Sequence, residues 1–592
     1  MKTKSITALC LALLMLLALF AGCGGGGDTP APAPATAAPA TAAPATAAPD
    51  GTPAEPTQEP EDEGPYHFAK GYAVNEEGFP LEKYVYEKPL CDTDEVLTKW
   101  TTCYTPQYLP EDNFNGIRTW QELAEYTGVH IEYNVVDSAS RNSNFSVLLA
   151  SDDLDDIMDQ GSFFYTGTTD EALEEGYFAD LYEYRDLMPN YMKEIWDRSQ
   201  TNNDIYNYCF YHKEHIVTLW GLVIGPVPSM GYVLRQDWLD EMDMGQSRDV
   251  KTYDQLHDVL TAMKVNYSTN GEIFPYFIYS VGESTPGFAY CGFNTVLYTD
   301  RMSYMRVVDG QVEFCGTTED DRALMTMLNQ WYSEGLISPN FQSYIIGGDW
   351  DDGHKVNQVG AMPQTPGSIA QDEAESLDPD TRWEPIPRTR LYEGQILEYG
   401  NKLGETHYGS CTISASCENI PLAVSWCDWW FSDFGGDFTS WGPEGWMWEY
   451  NESGERELTD WVLNHDAGMM WIMIMNANNN LLEFCLHDIR RSYAFPEGKR
   501  PLAMYDTWLV PDYGGSYDWP SSVTFTTEQT DEINKLASDM NTFFSENYVA
   551  FISGAKPMSE WDKYLEDLNS FGYQRLRDIY QEAYDTYMTE YA

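Results

Sequence analysis

Hydrophobic and polar positions along the chain predict alternating strands and helices from residue 96 onward. Alternation of apolar and polar side chains indicates a strand, and apolar side chains every three or four residues indicate a helix. The first predicted elements are a strand at 96–104, a helix at 119–126, a strand at 129–136, a helical stretch at 145–150, a strand at 156–159 and a helix at 169–175. This order and spacing predict βαβ units and a mainly parallel sheet.

The second part of the body is predicted to be richer in helices. They are expected at 236–243, 252–263, 318–333, 421–431, 526–545 and 559–587, with a hairpin at 307–312. The hairpin prediction depends on the Asp309-Gly310 pair, which is typical of a two-residue turn. Between the two parts, residues 221–229 are rich in glycine and proline and predict a stiff, extended crossing.

The N-terminus predicts a secretory signal peptide over residues 1–22. Two lysines precede an apolar run, Ile6 to Phe20, that is shorter than the ~20 residues of a membrane-spanning helix. Leu19-Phe20-Ala21-Gly22-Cys23 resembles the lipobox of bacterial lipoproteins, in which the cysteine is lipidated and becomes the mature N-terminus. Phe20 stands where lipoboxes favour leucine. The alternative is ordinary cleavage that leaves Cys23 unmodified.

Residues 23–65 are predicted to be a disordered tether. Ala-Thr-Ala-Ala-Pro occurs three times over residues 35–49, and an acidic, proline-containing stretch follows. The segment has no aromatic or branched aliphatic residue, so it cannot bury enough surface to offset its ordering entropy. Residues 66–93 are mixed and turn-rich, and they are interpreted as a transition to the body.

Composition narrows the class of protein. Ninety-four acidic and 34 basic residues give a net charge of −60, which argues against nucleic-acid binding. Eleven cysteines less Cys10 and Cys23 leave nine in the body, an odd number without CxxC pairs. They indicate neither a disulfide framework nor a zinc site, and a free thiol is suited to a Gram-positive anaerobe. Aromatic residues make up 14% of the chain, and aromatic rings build cores and also stack on sugars.

Six short motifs occur in the order in which one protein family has them. They are Glu125-Tyr126-Thr127-Gly128-Val129-His130-Ile131-Glu132, then residues 149–157, 174–181, 234–239 and 329–337, and finally Trp441-Gly442-Pro443-Glu444-Gly445 with Trp448. In these motifs the chain resembles the family 1 extracellular solute-binding proteins. The likeness covers nearly the whole chain after the tether.

The resemblance implies an α/β, two-lobed fold of the class II periplasmic-binding-protein type. Each lobe is expected to be a mainly parallel sheet flanked by helices, with the ligand cleft at the hinge. Lobe 1 is predicted over residues 94–225 and 405–442, and lobe 2 over residues 226–404 and 443–592. The first hinge is expected within 221–229 and the last crossing within 443–448.

Candidate ligand-binding residues are aromatic and polar side chains at predicted strand ends and crossings, where the clefts of open α/β sheets form. They are Tyr104, Asp159, Gln160, Trp220, Trp350, Trp441, Glu444 and Trp446. Core packing is the alternative for each single tryptophan. Three indoles within residues 441–448, however, are expected not to fit one core together. Arg235 and Asp237 are interpreted as an ion pair that supports the hinge.

No metal, cofactor or catalytic residue is predicted. The histidine-containing stretches 212–215 and 349–354 lack the spacing of an HExxH zinc site and of a calcium loop. Some relatives carry a calcium loop where this chain has residues 266–272, but amide and hydroxyl side chains replace the acids here. Among 94 acidic residues, nothing singles out a catalytic carboxylate pair.

The resemblance implies a monomeric, lipid-anchored protein on the outer face of the cell membrane. It is expected to capture a carbohydrate, in particular an oligosaccharide, and to deliver it to the membrane permease of an ABC importer without enzymatic activity. Two alternatives remain: a surface glycan hydrolase or glycan-adhesion protein with the same anchor, and a binder of peptides or another polar solute.

Overall fold

The fold is described from a computed structural model. It covers residues 64–591 except 104, 139, 202, 225–227, 229, 269–271, 279–288, 297–303, 344–350, 367–368, 468, 478–484 and 489–499. The predicted signal peptide, Cys23 and nearly all of the tether therefore lie outside the described residues. Within the described part of the chain, no helix is both long and apolar enough to cross a membrane.

The described strands are three to eight residues long. They are β1 Val96–Cys103, β2 His130–Asp137, β3 Ile157–Asp159, β4 Leu219–Ile224, β5 Gly231–Arg235, β6 Met305–Val308, β7 Gln311–Phe314, β8 Ala361–Gln364, β9 Trp383–Pro385, β10 Thr406–Ile413, β11 Trp448–Tyr450, β12 Arg456–Leu458 and β13 Leu486–Asp488.

The helices surround these strands. They are α1 Arg118–Thr127, α2 Arg141–Ser151, α3 Gly161–Phe164, α4 Thr169–Glu174, α5 Pro189–Ser199, α6 Asn203–Cys209, α7 Gln236–Glu241, α8 Tyr253–Tyr267, α9 Glu319–Ser333, α10 Asp351–Lys355, α11 Ile369–Glu375, α12 Ile420–Trp429, α13 Asp433–Trp441, α14 Asp460–Leu463, α15 Met469–Asn476, α16 Arg500–Trp508, α17 Thr527–Ser553, α18 Trp561–Asn569 and α19 Tyr573–Tyr591.

Lobe 1 is built on a six-stranded sheet in the order β13-β4-β10-β3-β1-β2. Strand β1 runs parallel to β2 and β3, and β13 runs parallel to β4. Strand β10 is antiparallel to both of its neighbours, because the chain re-enters this sheet from the other lobe. Buried residues of α1, α5 and α12 form the core on one face of the sheet.

Lobe 2 differs from the expected parallel sheet. Its three-stranded sheet has the order β8-β5-β9, and both outer strands are antiparallel to β5. Strands β8 and β9 have only four and three residues, so the sequence pattern does not indicate whether they run parallel or antiparallel to their neighbours. Most of the core of lobe 2 comes instead from helices, with α8, α9, α17, α18 and α19 packed together.

The last crossing does not lie within residues 443–448. Met447, Trp448 and Val462 are buried in the core of lobe 1, and β13 pairs with β4 in the sheet of lobe 1. Helix α15 is apolar and has to be buried. It packs beside α1, where the indole N–H of Trp120 donates to the carbonyl of Met475 at 3.2 Å. The described residues of 443–477 and 485–488 thus belong to lobe 1.

Residues 66–93 form a strap along lobe 1. Leu90 is fully buried in the core of that lobe. The Lys83 ammonium lies 2.7 Å from a carboxylate oxygen of Glu194, and the Tyr86 hydroxyl donates to Asp428 at 2.8 Å. The strap is therefore an ordered part of the first lobe.

Candidate functional site

The carboxyl ends of three neighbouring strands meet at one edge of the sheet of lobe 1. In the parallel register Cys103 of β1 lies beside Asp137 of β2, and β3 ends at Asp159 next to β1. Ligands of open α/β sheets bind outside such carboxyl ends. We call the segments that follow these strands, together with the residues that contact them, the cleft edge.

A buried ion pair forms the floor of the cleft edge. The Lys99 ammonium lies 2.7 Å from the Asp159 carboxylate, and both side chains are almost completely buried. The second carboxylate oxygen of Asp159 is buried and has no hydrogen-bond partner among the described residues, and the same holds for the hydroxyls of Ser162 and Thr412. Asp159, a sequence-predicted contact residue, is thus held by Lys99 beneath the surface.

The turn after β3 places an aromatic ring at the surface. Gln160 adopts a left-handed backbone conformation with φ 54° and ψ 28°, and its N–H donates to the carbonyl of Ser410 at 2.8 Å. Such conformations in non-glycine residues tend to cluster at functional sites. The turn starts α3, in which Phe164 is buried while Phe163 is 47% exposed. Sequence reasoning missed Phe163, because only the turn geometry separates it from its buried neighbour.

A second group of rings lies beside the segment that follows β1. The rings of Trp446 and Trp461 are 4.8 Å apart, and His465 lies 5.2 Å from Trp461 and 5.8 Å from Tyr108. The Tyr108 hydroxyl donates to the carbonyl of Asp466 at 3.2 Å, which attaches this group to the cleft edge. We call Tyr108, Trp446, Trp461 and His465 the aromatic rim.

The aromatic rim is only partly covered. Trp461 is 38% exposed, and Trp446 is half-buried. The Arg118 guanidinium lies 5.8 Å from the Trp446 ring and forms an ion pair with Glu122 at 2.6 Å. Burial lowers the pKa of His465, so its ring is neutral near pH 7. The rim therefore offers neutral aromatic planes to solvent.

Trp441, predicted as a ligand contact, is part of the core instead. It is 5% exposed, and its ring lies 6.1 Å from that of Trp448, which is buried to the same degree. The Arg456 guanidinium lies 5.0 Å and 4.2 Å from these two rings and is paired with Asp437. Two of the three indoles thus fit one core, because the Arg456 guanidinium lies against both rings.

The other sequence-predicted residues are dispersed. Glu444 is exposed near the aromatic rim, and Trp220 is half-buried in β4 with its ring 4.8 Å from Tyr208. Tyr104 and Trp350 lie outside the described residues.

The predicted ion pair is present but does not lie at the hinge. Arg235 Nε is 2.9 Å from the Asp237 carboxylate. The pair is at the end of β5 remote from the crossing, and the Arg235 guanidinium lies 4.4 Å from the Trp238 ring. It therefore supports the interior of lobe 2.

The crossings between the lobes lie beside β5. The chain leaves the sheet of lobe 1 after Ile224 and enters that of lobe 2 at Gly231; it returns between Pro385 and Thr406. The buried Arg388 guanidinium donates to the carbonyl of Met230 at 2.9 Å and to Asn401 at 2.7 Å, so it joins these two crossings. Burial lowers the pKa of Arg388 to about 10.

Comparisons with known proteins agree with this architecture. No protein-family model matches the chain. The fructooligosaccharide ABC transporter substrate-binding protein FusA of Streptococcus pneumoniae is 23% identical over 502 residues, which cover 79% of this chain and 86% of FusA.

Solved structures share the fold. An HMO-binding solute-binding protein of Bifidobacterium longum infantis aligns with a TM-score of 0.63 and 16% identity, over 85% of this chain and 99% of that one. The S. pneumoniae FusA structure in complex with kestose aligns with a TM-score of 0.58 and 19% identity, over 84% of this chain and all of FusA. The fold of ABC-transporter solute-binding proteins, expected from the sequence motifs, is thereby confirmed.

Proposed function

We propose that the chain captures an oligosaccharide between its two lobes and delivers it to an ABC importer. The observation that carries this proposal is the aromatic rim beside the cleft edge of a two-lobed fold. Aromatic planes cover the C–H faces of sugar rings, and carboxylate and amide groups bind the hydroxyls. The similar proteins named above, which are described as binding fructooligosaccharides and HMO, support the carbohydrate class.

Binding without turnover is the second part of the proposal. The similar proteins are binding components of transporters, and Asp159, the carboxylate at the floor of the cleft edge, is ion-paired with Lys99. Incubation of the purified chain with each glycan that it binds should leave the glycan intact by mass spectrometry. Release of shorter products would support the glycan-hydrolase alternative instead.

A glycan-array screen followed by calorimetry tests the proposal directly. The wild-type chain should bind at least one oligosaccharide, and Trp461→Ala should weaken that binding by about tenfold or more, because a stacking surface is lost. Phe571→Ala is the matched control, since Phe571 is also 38% exposed but lies between α18 and α19 in lobe 2. Equal loss of affinity in both variants, or binding only of peptides, would contradict the proposed site.

The anchor is proposed from Cys23 and the small residues before it. Cys23→Ala should release the protein from the membrane fraction or leave it as an unlipidated precursor. Unchanged membrane association and electrophoretic mobility would show that the lipobox interpretation is wrong.

A further inference from the structure

The cleft edge of lobe 1 has many exposed carboxylates. They include Glu111, Asp112, Asp137, Glu444, Asp460 and Asp466. Salt at physiological ionic strength screens charges beyond about 8 Å, so these nearby groups matter to a ligand more than the net charge of the whole chain. A bound sugar would therefore meet an acidic surface.

The basic side chains of the same region are already engaged. Among the described residues of segments 105–118, 137–145, 159–165 and 442–466, the arginines are Arg118, Arg141 and Arg456, and no lysine occurs. Arg118 and Arg456 pair with Glu122 and Asp437. Arg141 is 4% exposed, with its guanidinium 5.3 Å from the Phe164 ring. Lys99 beneath them is paired with Asp159.

We infer that the ligand is an uncharged oligosaccharide and that the site discriminates against uronate-containing or sulfated sugars. This inference rests on the proposed function. At the described edge of lobe 1, a ligand carboxylate would lose water and find only arginines that are already paired or buried, and it would lie near like charges; both effects oppose binding. The hydroxyls of a neutral sugar, in contrast, donate well to carboxylate oxygens.

Matched sugar pairs test the inference. The neutral oligosaccharide that binds best on the array is compared by calorimetry with a set of its own derivatives. In each derivative the C6 hydroxymethyl of one sugar ring is oxidised to a carboxylate, so that every ring is tested in turn. Every derivative should bind at least tenfold more weakly at low ionic strength, and added salt should narrow the difference. The inference would be wrong if a uronate were the best ligand, or if a derivative bound as tightly as its neutral parent. The proposal that the chain captures a carbohydrate would not be affected by either result. Failure to bind any glycan would overturn both.

A charge-reversal variant tests the role of the local charges. Asp466→Lys should raise the ratio of uronate affinity to neutral-sugar affinity several-fold at low salt, because a free cation then stands next to the aromatic rim. Glu566→Lys makes the same change of charge at an exposed position of α18 in lobe 2 and should leave the ratio within twofold. An unchanged ratio in Asp466→Lys would show that these carboxylates do not set the preference.

Discussion

Trp446 and Trp448 are two residues apart and are expected to respond in opposite ways to truncation. Trp448 is buried, and its indole N–H donates to the carbonyl of Gly442 at 2.9 Å. Trp448→Ala should therefore lower the free energy of unfolding by ~3–5 kcal/mol, as large cavities do. Trp446→Ala should leave the melting temperature nearly unchanged and weaken sugar binding by ~2 kcal/mol, about thirtyfold. Melting temperature and affinity of both variants decide the question, and a reversed pattern would place the cleft elsewhere.

The buried carboxylate of Asp428 makes the folded state less stable as the pH rises, which is the opposite of the effect of an ion-paired carboxylate. The Asp428 carboxylate accepts hydrogen bonds from Tyr86, Asn190 and the N–H of Tyr191, yet burial raises its pKa to about 6. The unfolded value is about 3.9, so the folded state binds the proton more tightly. The contribution of Asp428 to stability is therefore greatest at low pH and falls as the pH rises from about 4 through about 6. The total change is about 3 kcal/mol.

Asp428→Asn tests this direction. The variant cannot titrate at this position, so the difference in free energy of unfolding between variant and wild type should shift in favour of the variant from pH 4.5 to pH 7.5. Urea unfolding at several pH values measures the difference. Asp518, whose pKa burial also raises to about 6, titrates in both proteins and cancels. A difference that is constant with pH would contradict the assignment.

The contacts of a side chain could be predicted from the sequence only where its partners are close neighbours along the chain. The Arg235–Asp237 pair is local, and its presence was expected. The aromatic rim joins Tyr108 to residues more than 330 positions later, so no local pattern could reveal it. Trp441 was misassigned for a related reason: Arg456, which lies against its ring, comes from the following hairpin. Whether Gln160 and Trp220 contact a ligand stays a prediction.

At the scale of elements, Gly231 begins β5 immediately after the first crossing. A Cβ atom there would lie 2.1 Å from the indole of Trp508, which is fully buried and donates to the carbonyl of Tyr232 at 3.3 Å. Gly231→Ala should therefore displace α16 from the sheet of lobe 2 and destabilise the protein by ~1–3 kcal/mol. Thermal unfolding measures this effect.

Gly353→Ala is the matched control. Gly353 lies within α10, and its nearest neighbour to a new Cβ would be a methyl group of Val359 at 3.4 Å, an ordinary contact. Alanine should be neutral or stabilising by ~0.5–1 kcal/mol, because glycine is a poor helix former. Equal melting temperatures for both variants would show that the contact between β5 and α16 is not a tight one.

Elements with strong local signals were predicted well. The strand–helix–strand order at 96–136 is confirmed by β1, α1 and β2, and Gly128 ends α1 in the left-handed conformation. The helix expected at 318–333 is α9, which Thr318 caps, and Asp309-Gly310 joins β6 to β7. Strands β8, β9 and β13 were missed because they are too short to show a period, and the eight-residue β10 was missed because polar residues and Gly409 interrupt its alternation. The last crossing was predicted too early in the chain, because the hydrophobic pattern does not indicate which lobe buries an apolar helix such as α15.

At the scale of the whole molecule, α6 of lobe 1 also contacts the return crossing and lobe 2. Asp204 of lobe 1 accepts hydrogen bonds from Lys402 at 2.7 Å and from Ser522 of lobe 2 at 2.6 Å. Burial alone would raise the pKa of Asp204, but Lys402 and the hydrogen bonds from serine hydroxyls lower it below its usual range. Asn207 donates to the hydroxyl of Tyr587 in α19 at 3.1 Å. The lobes are therefore also joined beside α6.

Ligand is expected to bring the lobes together about the crossings. Contacts that come from both lobes exist only when the cleft is closed, so a ligand that makes them shifts the population toward the closed form. Small-angle scattering should show a smaller radius of gyration with a saturating concentration of the glycan identified by calorimetry. At about ten times the wild-type dissociation constant, a Trp446→Ala variant that binds about thirtyfold more weakly should be only about one quarter bound, so its radius should stay near the unliganded value. An unchanged radius in the wild type with bound ligand would show that capture proceeds without hinge closure.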